Sequence, residues 1–172
     1  IYVATIGEVA ADPWHPRNPL YGNDYAFAFF SPYTWALGFL SRLSGLDPFR
    51  TLIAQAFVNL ALFLVALYAF VTSFVGRRGA TFYALLAVLF LWGSDPWIFS
   101  SFFHLRSLAH VVPYPSTFGA SVALLTLAAF PRLSRNGSLG WALVAFPVLT
   151  LLLIIHPVNA VFLYLGLVIL SL

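Results

Sequence analysis

Apolar residues run through this chain in long, nearly unbroken stretches, and short polar segments punctuate them. The longest stretch, from about Leu52 to Val75, carries no charge and exceeds the 20 or so residues that cross a hydrocarbon core, so it predicts a spanning helix that ends at Gly76-Arg77-Arg78. Further crossings are expected from about Ala80 to Trp92, from about Ser116 to Phe130 and from about Leu139 to Ile155. One helix over all of 139–172 would be roughly 50 Å long at 1.5 Å per residue, well beyond a core of about 30 Å. The chain is therefore expected to break at His156-Pro157 and turn back.

The N-terminal part reads differently. Ile1 to Ile6 is too short to cross and suggests the exit of a helix lying mostly upstream. The stretch GEVAADPWHPRNPLYGNDY follows, with prolines at 13, 16 and 19 that prevent a long helix, and it predicts a polar loop. Residues Tyr25 to Gly45 resemble a span, but Pro32 and Arg42 argue for one or two amphipathic helices lying along the interface. Asp47-Pro48 has the form of a helix start, with a capping aspartate and proline at the first helical position. The expected fold class is thus all-α: a polytopic transmembrane helix bundle with outer juxtamembrane amphipathic helices. Residues 1–50 form the outer loop and juxtamembrane helices, 51–172 the bundle with an outer loop at 94–115, and the whole is read as a fragment of a longer chain.

Composition sharpens the class. Hydrophobic residues make up 62% of the chain and charged residues 8%, against roughly 25% charged in a soluble domain, so an integral membrane protein is expected. The net charge of +3 comes from eight arginines with no lysine, too thinly spread for a nucleic-acid footprint. There is no cysteine, which excludes disulfides and thiolate metal sites. No signal-peptide pattern, internal repeat or low-complexity tract occurs.

The charges orient the helices. Loops 76–79 and 131–138 hold Arg77, Arg78, Arg132 and Arg135 and no acid, the excess expected of cytoplasmic loops, which leaves 7–50 and 94–115 outside. All five acids (Glu8, Asp12, Asp24, Asp47, Asp95) and all four histidines (His15, His104, His110, His156) then fall on or near the outer side. Asn136-Gly137-Ser138 matches a glycosylation sequon but sits in an arginine-marked inner loop and reads as chance.

The stretch DPWIFSSFFHLRSLAHVVPYPSTFG, residues 95–119, concentrates polar groups between apolar segments. On a helix Arg106 and His110 share a face while His104 points elsewhere, and Pro113-Tyr114-Pro115 stops the helix. The alternative is an interfacial loop anchored by its aromatics. Arg106 at the bilayer centre would cost at least about 2.5–3.5 kcal/mol, so 96–112 is expected on the outer surface. Gln55 and Asn59, with Thr51, make a polar strip whose ordinary use is interhelical hydrogen bonding; a cavity lining is the other reading.

An outer gathering of carboxylates, histidines and arginines suits transfer from a lipid-linked phosphate donor. The acceptor's proton needs a carboxylate, and the departing phosphate needs cations or a metal. Asp12, His15 and Arg17 supply those types within six residues, and Arg106 and His110 supply them from the other loop. No zinc pattern such as HExxH and no phosphate-cradling glycine loop occurs. For His156 the alternatives are a helix-end histidine satisfied by a carbonyl and a substrate contact.

The order of GEVAADPWHPRNP, YAFAFFSPYTWALGFLSRLSGLDPFR, RSLAHVVPYPSTFGA and IIHPVNAVFLYLG resembles the N-terminal half of a polytopic glycosyltransferase of the GT-C class, over nearly the whole chain. The resemblance is one of layout. It implies transfer of a sugar from a polyprenyl-phosphate donor to an acceptor outside the cytoplasm, with Asp12 or Glu8 as catalytic base and His15, Arg17, Arg106, His110 and His156 toward the substrate. The cofactor is left open: a divalent metal is compatible with that chemistry but not required, and no residue is assigned to one. Expected partners are membrane lipid, the donor and other membrane subunits, with no nucleic acid. A non-catalytic structural subunit would use the 18% aromatic residues for helix packing, and a transporter would need polar midplane groups such as Gln55 and Asn59.

Overall fold

A computed structural model of the chain describes residues 1–21, 31–77, 79–91, 103–134 and 138–172. Asp24, residues 25–30 of the expected interfacial helices, Asp95, residues 96–102, Arg78, Arg135 and Asn136-Gly137 of the sequon lie outside these. Helix accounts for 82% of the described residues and no strand occurs among them, so the class is all-α. The chain divides into two units, residues 1–58 and 59–172.

In the first unit, helix α1 (Tyr2–Ala11) packs on helix α2 (Pro32–Ser44). Ser31 caps α2 by accepting the Tyr33 N–H at 3.3 Å, Pro32 occupies the first helical position, and Gly45 at φ 70° ends the helix in the left-handed region. Ile6 and Val9 of α1 are fully buried, and Leu37 and Gly38 of α2 lie in the same interior. The approach is so close that a Cβ on Gly38 would fall 2.5 Å from the Val9 side chain. Phe39, Leu40 and Leu43 of α2 remain exposed. The expected start at Asp47-Pro48 is present: helix α3 (Pro48–Val75) begins there, and the Asp47 carboxylate accepts the Phe49 and Arg50 N–H groups, both at 3.0 Å. The boundary between the units falls inside α3.

In the second unit, Gly79 at φ 85° turns the chain into helix α4 (Ala80–Phe90), which lays Ala84, Leu85 and Val88 against Phe63, Leu67 and Val71 of α3. The described part of α4 is 11 residues, about 16 Å at the helical rise, and its expected continuation to Trp92 lies outside the described residues. A 3-10 turn (Leu105–Ser107) and a four-residue helix α5 (Leu108–Val111) lead to helix α6 (Pro115–Leu133). The proline-rich turn thus stops one helix at Val111 and starts the next, because Pro115 needs no N–H partner at a first helical position. Helices α7 (Ser138–Ile155) and α8 (Pro157–Ser171) follow.

Contacts between these helices set their directions. Phe130, near the end of α6, meets Trp141, near the start of α7, edge to face at 5.6 Å. Asn159, at the start of α8, donates to the Ser116 carbonyl at the start of α6 at 2.8 Å, and Gly166 lies against Leu127 further along both. Hence α7 runs antiparallel to α6 and α8 runs parallel to it, so the chain does turn back at His156-Pro157. Leu127, Leu152, Leu163 and Leu167 share one buried cluster among the three helices. Similarly, Asn59 of α3 donates to the Val112 carbonyl just before α6, and Thr72 and Arg132 border one groove, so α3 and α6 run side by side in the same direction. Arg77, just after α3, and Arg132, in the last turn of α6, therefore share one end of this unit. The segment carrying His104, Arg106 and His110, and the corner at His156, lie at the other.

Among the described residues two helices are long and apolar enough to cross a membrane: α3, with 28 residues and a mean hydropathy of 2.2, and α6, with 19 residues and 1.3. At 1.5 Å per residue α6 measures about 28 Å, close to the hydrocarbon thickness.

Candidate functional site

The acids and cations expected to carry chemistry in the first unit gather at the end of α1. The helix stops at Ala11, and Asp12 takes an extended conformation, with φ −141° and ψ 96°. Pro13 and Pro16 cannot continue a helix, so the chain folds back over its own last turn. Asp12 Oδ1 accepts the N–H groups of Trp14 and His15, each at 3.1 Å, in an Asx turn. The same fold-back brings Arg17 over α1, where its Nε donates to Glu8 Oε2 at 3.1 Å.

Helix α2 secures this loop from the side. Trp35 Nε1 donates to the Pro13 carbonyl at 3.1 Å, and Arg42 donates to the carbonyls of Ala10 and Ala11 at 3.4 and 3.1 Å. Those carbonyls belong to the last turn of α1 and have no partner within it, so a guanidinium is well suited to both their lone pairs and the negative end of the helix dipole. Trp14 stands edge-on to Trp35 at 6.4 Å, and Trp35 stacks on Phe39 at 5.5 Å.

The two carboxylates are not equivalent. Glu8 is paired with Arg17, and its side chain is 27% exposed. Asp12 is 53% exposed, and its Oδ2 stands 3.8 Å from His15 Nδ1, too far for a hydrogen bond. The His15 and Trp14 amides hold the Asp12 carboxyl below the usual carboxylate range; they outweigh desolvation, which acts the other way, and His15 and Arg42 nearby add smaller effects that lower it further. Asp12 is therefore ionised at neutral pH and presents one oxygen outward. Asp12 and His15 are the pair through which a divalent ion could be held; no group of three or more His, Asp or Glu converges on one point among the described residues.

In the second unit the sequence-derived candidates separate. Arg106 and His110 were expected to share a helix face, but a 3-10 turn holds Arg106 and α5 holds His110, and both are exposed. His104 is buried: its Nδ1 accepts the Arg106 N–H at 3.1 Å and caps the 3-10 turn, a structural use. His156 stands at the corner between α7 and α8 with its Nδ1 buried and unpartnered among the described residues. Asn59 is fully buried and hydrogen-bonded to the Val112 and Tyr114 carbonyls, so it ties α3 to the turn that precedes α6.

Three residues that support this loop were not among the candidates from the sequence: Trp14, Trp35 and Arg42, the last read there only as a mark of an interfacial helix. The PWHP spacing around Trp14 was visible, but the partners of Trp35 and Arg42 lie more than 20 residues away in the chain. No protein-family profile, curated protein or solved structure matches this chain.

Proposed function

We propose that this chain belongs to a multi-pass membrane glycosyltransferase that moves a sugar from a polyprenyl-phosphate donor to an acceptor on the non-cytoplasmic face, with Asp12 as the base. The observation that supports it is the ionised, outward-facing Asp12 carboxylate beside His15, close to the Glu8–Arg17 ion pair. It stands in the stretch where the GT-C resemblance puts the catalytic acid. In this reading the acceptor hydroxyl attacks the sugar's anomeric carbon and its proton passes to Asp12 Oδ2. The bond from that carbon to the phosphate oxygen breaks, and polyprenyl phosphate leaves with the electron pair. Asp12 is a weak base by its lowered pKa, so the proton moves only as the new C–O bond makes the acceptor oxygen acidic. His15 and Arg17 supply charge to steady the leaving phosphate. Glu8, already paired, positions Arg17.

Loops 76–79 and 131–138 are cytoplasmic in this reading, and Arg106, His110 and His156 face the side where donor headgroups arrive. Transfer of labelled sugar from a polyprenyl-phosphate donor by membranes carrying the chain tests it. Asp12→Asn should lower turnover by about 10²–10⁴-fold while donor binding persists, and Glu8→Gln should lower it less. Unchanged turnover in Asp12→Asn sinks the assignment. Donor binding with no turnover by the wild-type chain points to the non-catalytic subunit instead.

A further inference from the structure

A groove runs along the second unit between α3 and α6, with a volume of about 390 Å³. Its walls are Val65, Leu125 and Ala129, and its mouth carries Thr72, Ser73 and Arg132. A second lobe of about 240 Å³ passes Pro131 and shares Thr72, Ser73 and Arg132. The groove exists because Ala69, Ala128 and Ala129 are too small to fill the space where the helices meet. We propose that it binds an anionic glycerophospholipid of the surrounding leaflet, with the phosphate on Arg132 and the first methylenes of one chain along the alanine-lined wall.

Charge and hydrogen-bonding capacity both select that occupant. Arg132 is exposed and makes no ion pair among the described residues. Residues 76–79 and 131–138 contain no acid in the sequence, so neither stretch offers Arg132 a carboxylate partner. Thr72 donates its hydroxyl proton to the Tyr68 and Ala69 carbonyls at 2.7 and 3.2 Å, and Ser73 donates to Ala69 at 2.7 Å. Each hydroxyl has only one proton, so neither has one left for a phosphate, and Arg132 is its donor. The walls above it are apolar, and Val65 and Tyr68 are open to the outside at 59% and 60% exposure, so the lipid tail can continue into hydrocarbon. A cleft between apolar helices with Arg132 at its mouth suits an anionic headgroup, which pairs with that cation while its chain stays in hydrocarbon. The site stands at the opposite end of its unit from His156 and does not depend on the transferase reading.

Native mass spectrometry of the purified chain, offered equal phosphatidylglycerol and phosphatidylcholine with matched acyl chains, reads this directly. The first bound lipid should favour phosphatidylglycerol about fivefold or more. Arg132→Gln should erase the preference while phosphatidylcholine still binds, and Arg132→Lys should keep most of it. Thr72→Phe, at an exposed position, should lower first-site occupancy by both lipids without removing a charge. Arg77→Gln, outside the groove, should change neither. Equal binding of the two lipids to the wild-type chain, a preference that survives Arg132→Gln, or wild-type occupancy in Thr72→Phe would each overturn the proposal.

Discussion

At Asp12, one carboxylate performs two tasks with its two oxygens. Oδ1 is committed to the Trp14 and His15 amides and so builds the loop, while Oδ2 remains available. The sign of the resulting pH dependence follows from the lowered pKa. A carboxyl that is more acidic folded than unfolded stabilises the loop above its unfolded pKa, and that contribution disappears as pH falls through the folded value. Asp12 should therefore titrate below the ordinary aspartate range in a carboxyl-carbon NMR titration, and the loop should loosen only in that acid window. A midpoint at the ordinary value would show that the two amides do not hold the carboxylate. The histidines give the complementary lesson. His15 and His104 are the same residue type, yet His15 is exposed beside Asp12 whereas His104 is buried as a cap.

Among the elements, α6 and α8 approach closely at Gly119 as well as at Gly166. A Cβ on Gly119 would lie 2.5 Å from Asn159 Nδ2, the same atom that donates to the Ser116 carbonyl. Gly119→Ala must push Asn159 away and weaken its part-buried hydrogen bond to the Ser116 carbonyl, at a cost of about 1–3 kcal/mol. A drop of several degrees in the melting temperature in detergent, absent in an Ala mutant at Gly140, checks it: a Cβ at Gly140 meets nothing nearer than 3.8 Å. Equal melting of the two variants would mean that the helices separate without cost. On α2 the same logic holds at Gly38, where Val9 occupies the space that a side chain would need.

For the whole molecule, one end of the second unit carries Arg77 and Arg132, and the other carries His104, Arg106, His110 and His156. The chain has no cysteine, so a single introduced thiol reports its own position. Ser134→Cys should react with membrane-impermeant reagents only from the cytoplasmic side, and Ser107→Cys only from the outside; labelling of both from one side would overturn the proposed topology. The apolar runs, the arginine-rich turns, the Asp47-Pro48 start and the break at His156-Pro157 were all legible in the sequence. Each is local: bilayer-length hydrophobicity, the loss of an N–H at proline and a capping carboxylate act over a few residues or one continuous run. The pairing of α6 with α8, Asn59 under the Val112–Tyr114 turn and Arg42 on the last turn of α1 were decided only by the tertiary structure. Apolar helices carry little periodic signal to say which face meets which neighbour. Their pairing rests instead on small residues and a few polar side chains whose partners, 31 residues away for Arg42 and 53 for Asn59, become neighbours only when the chain has folded.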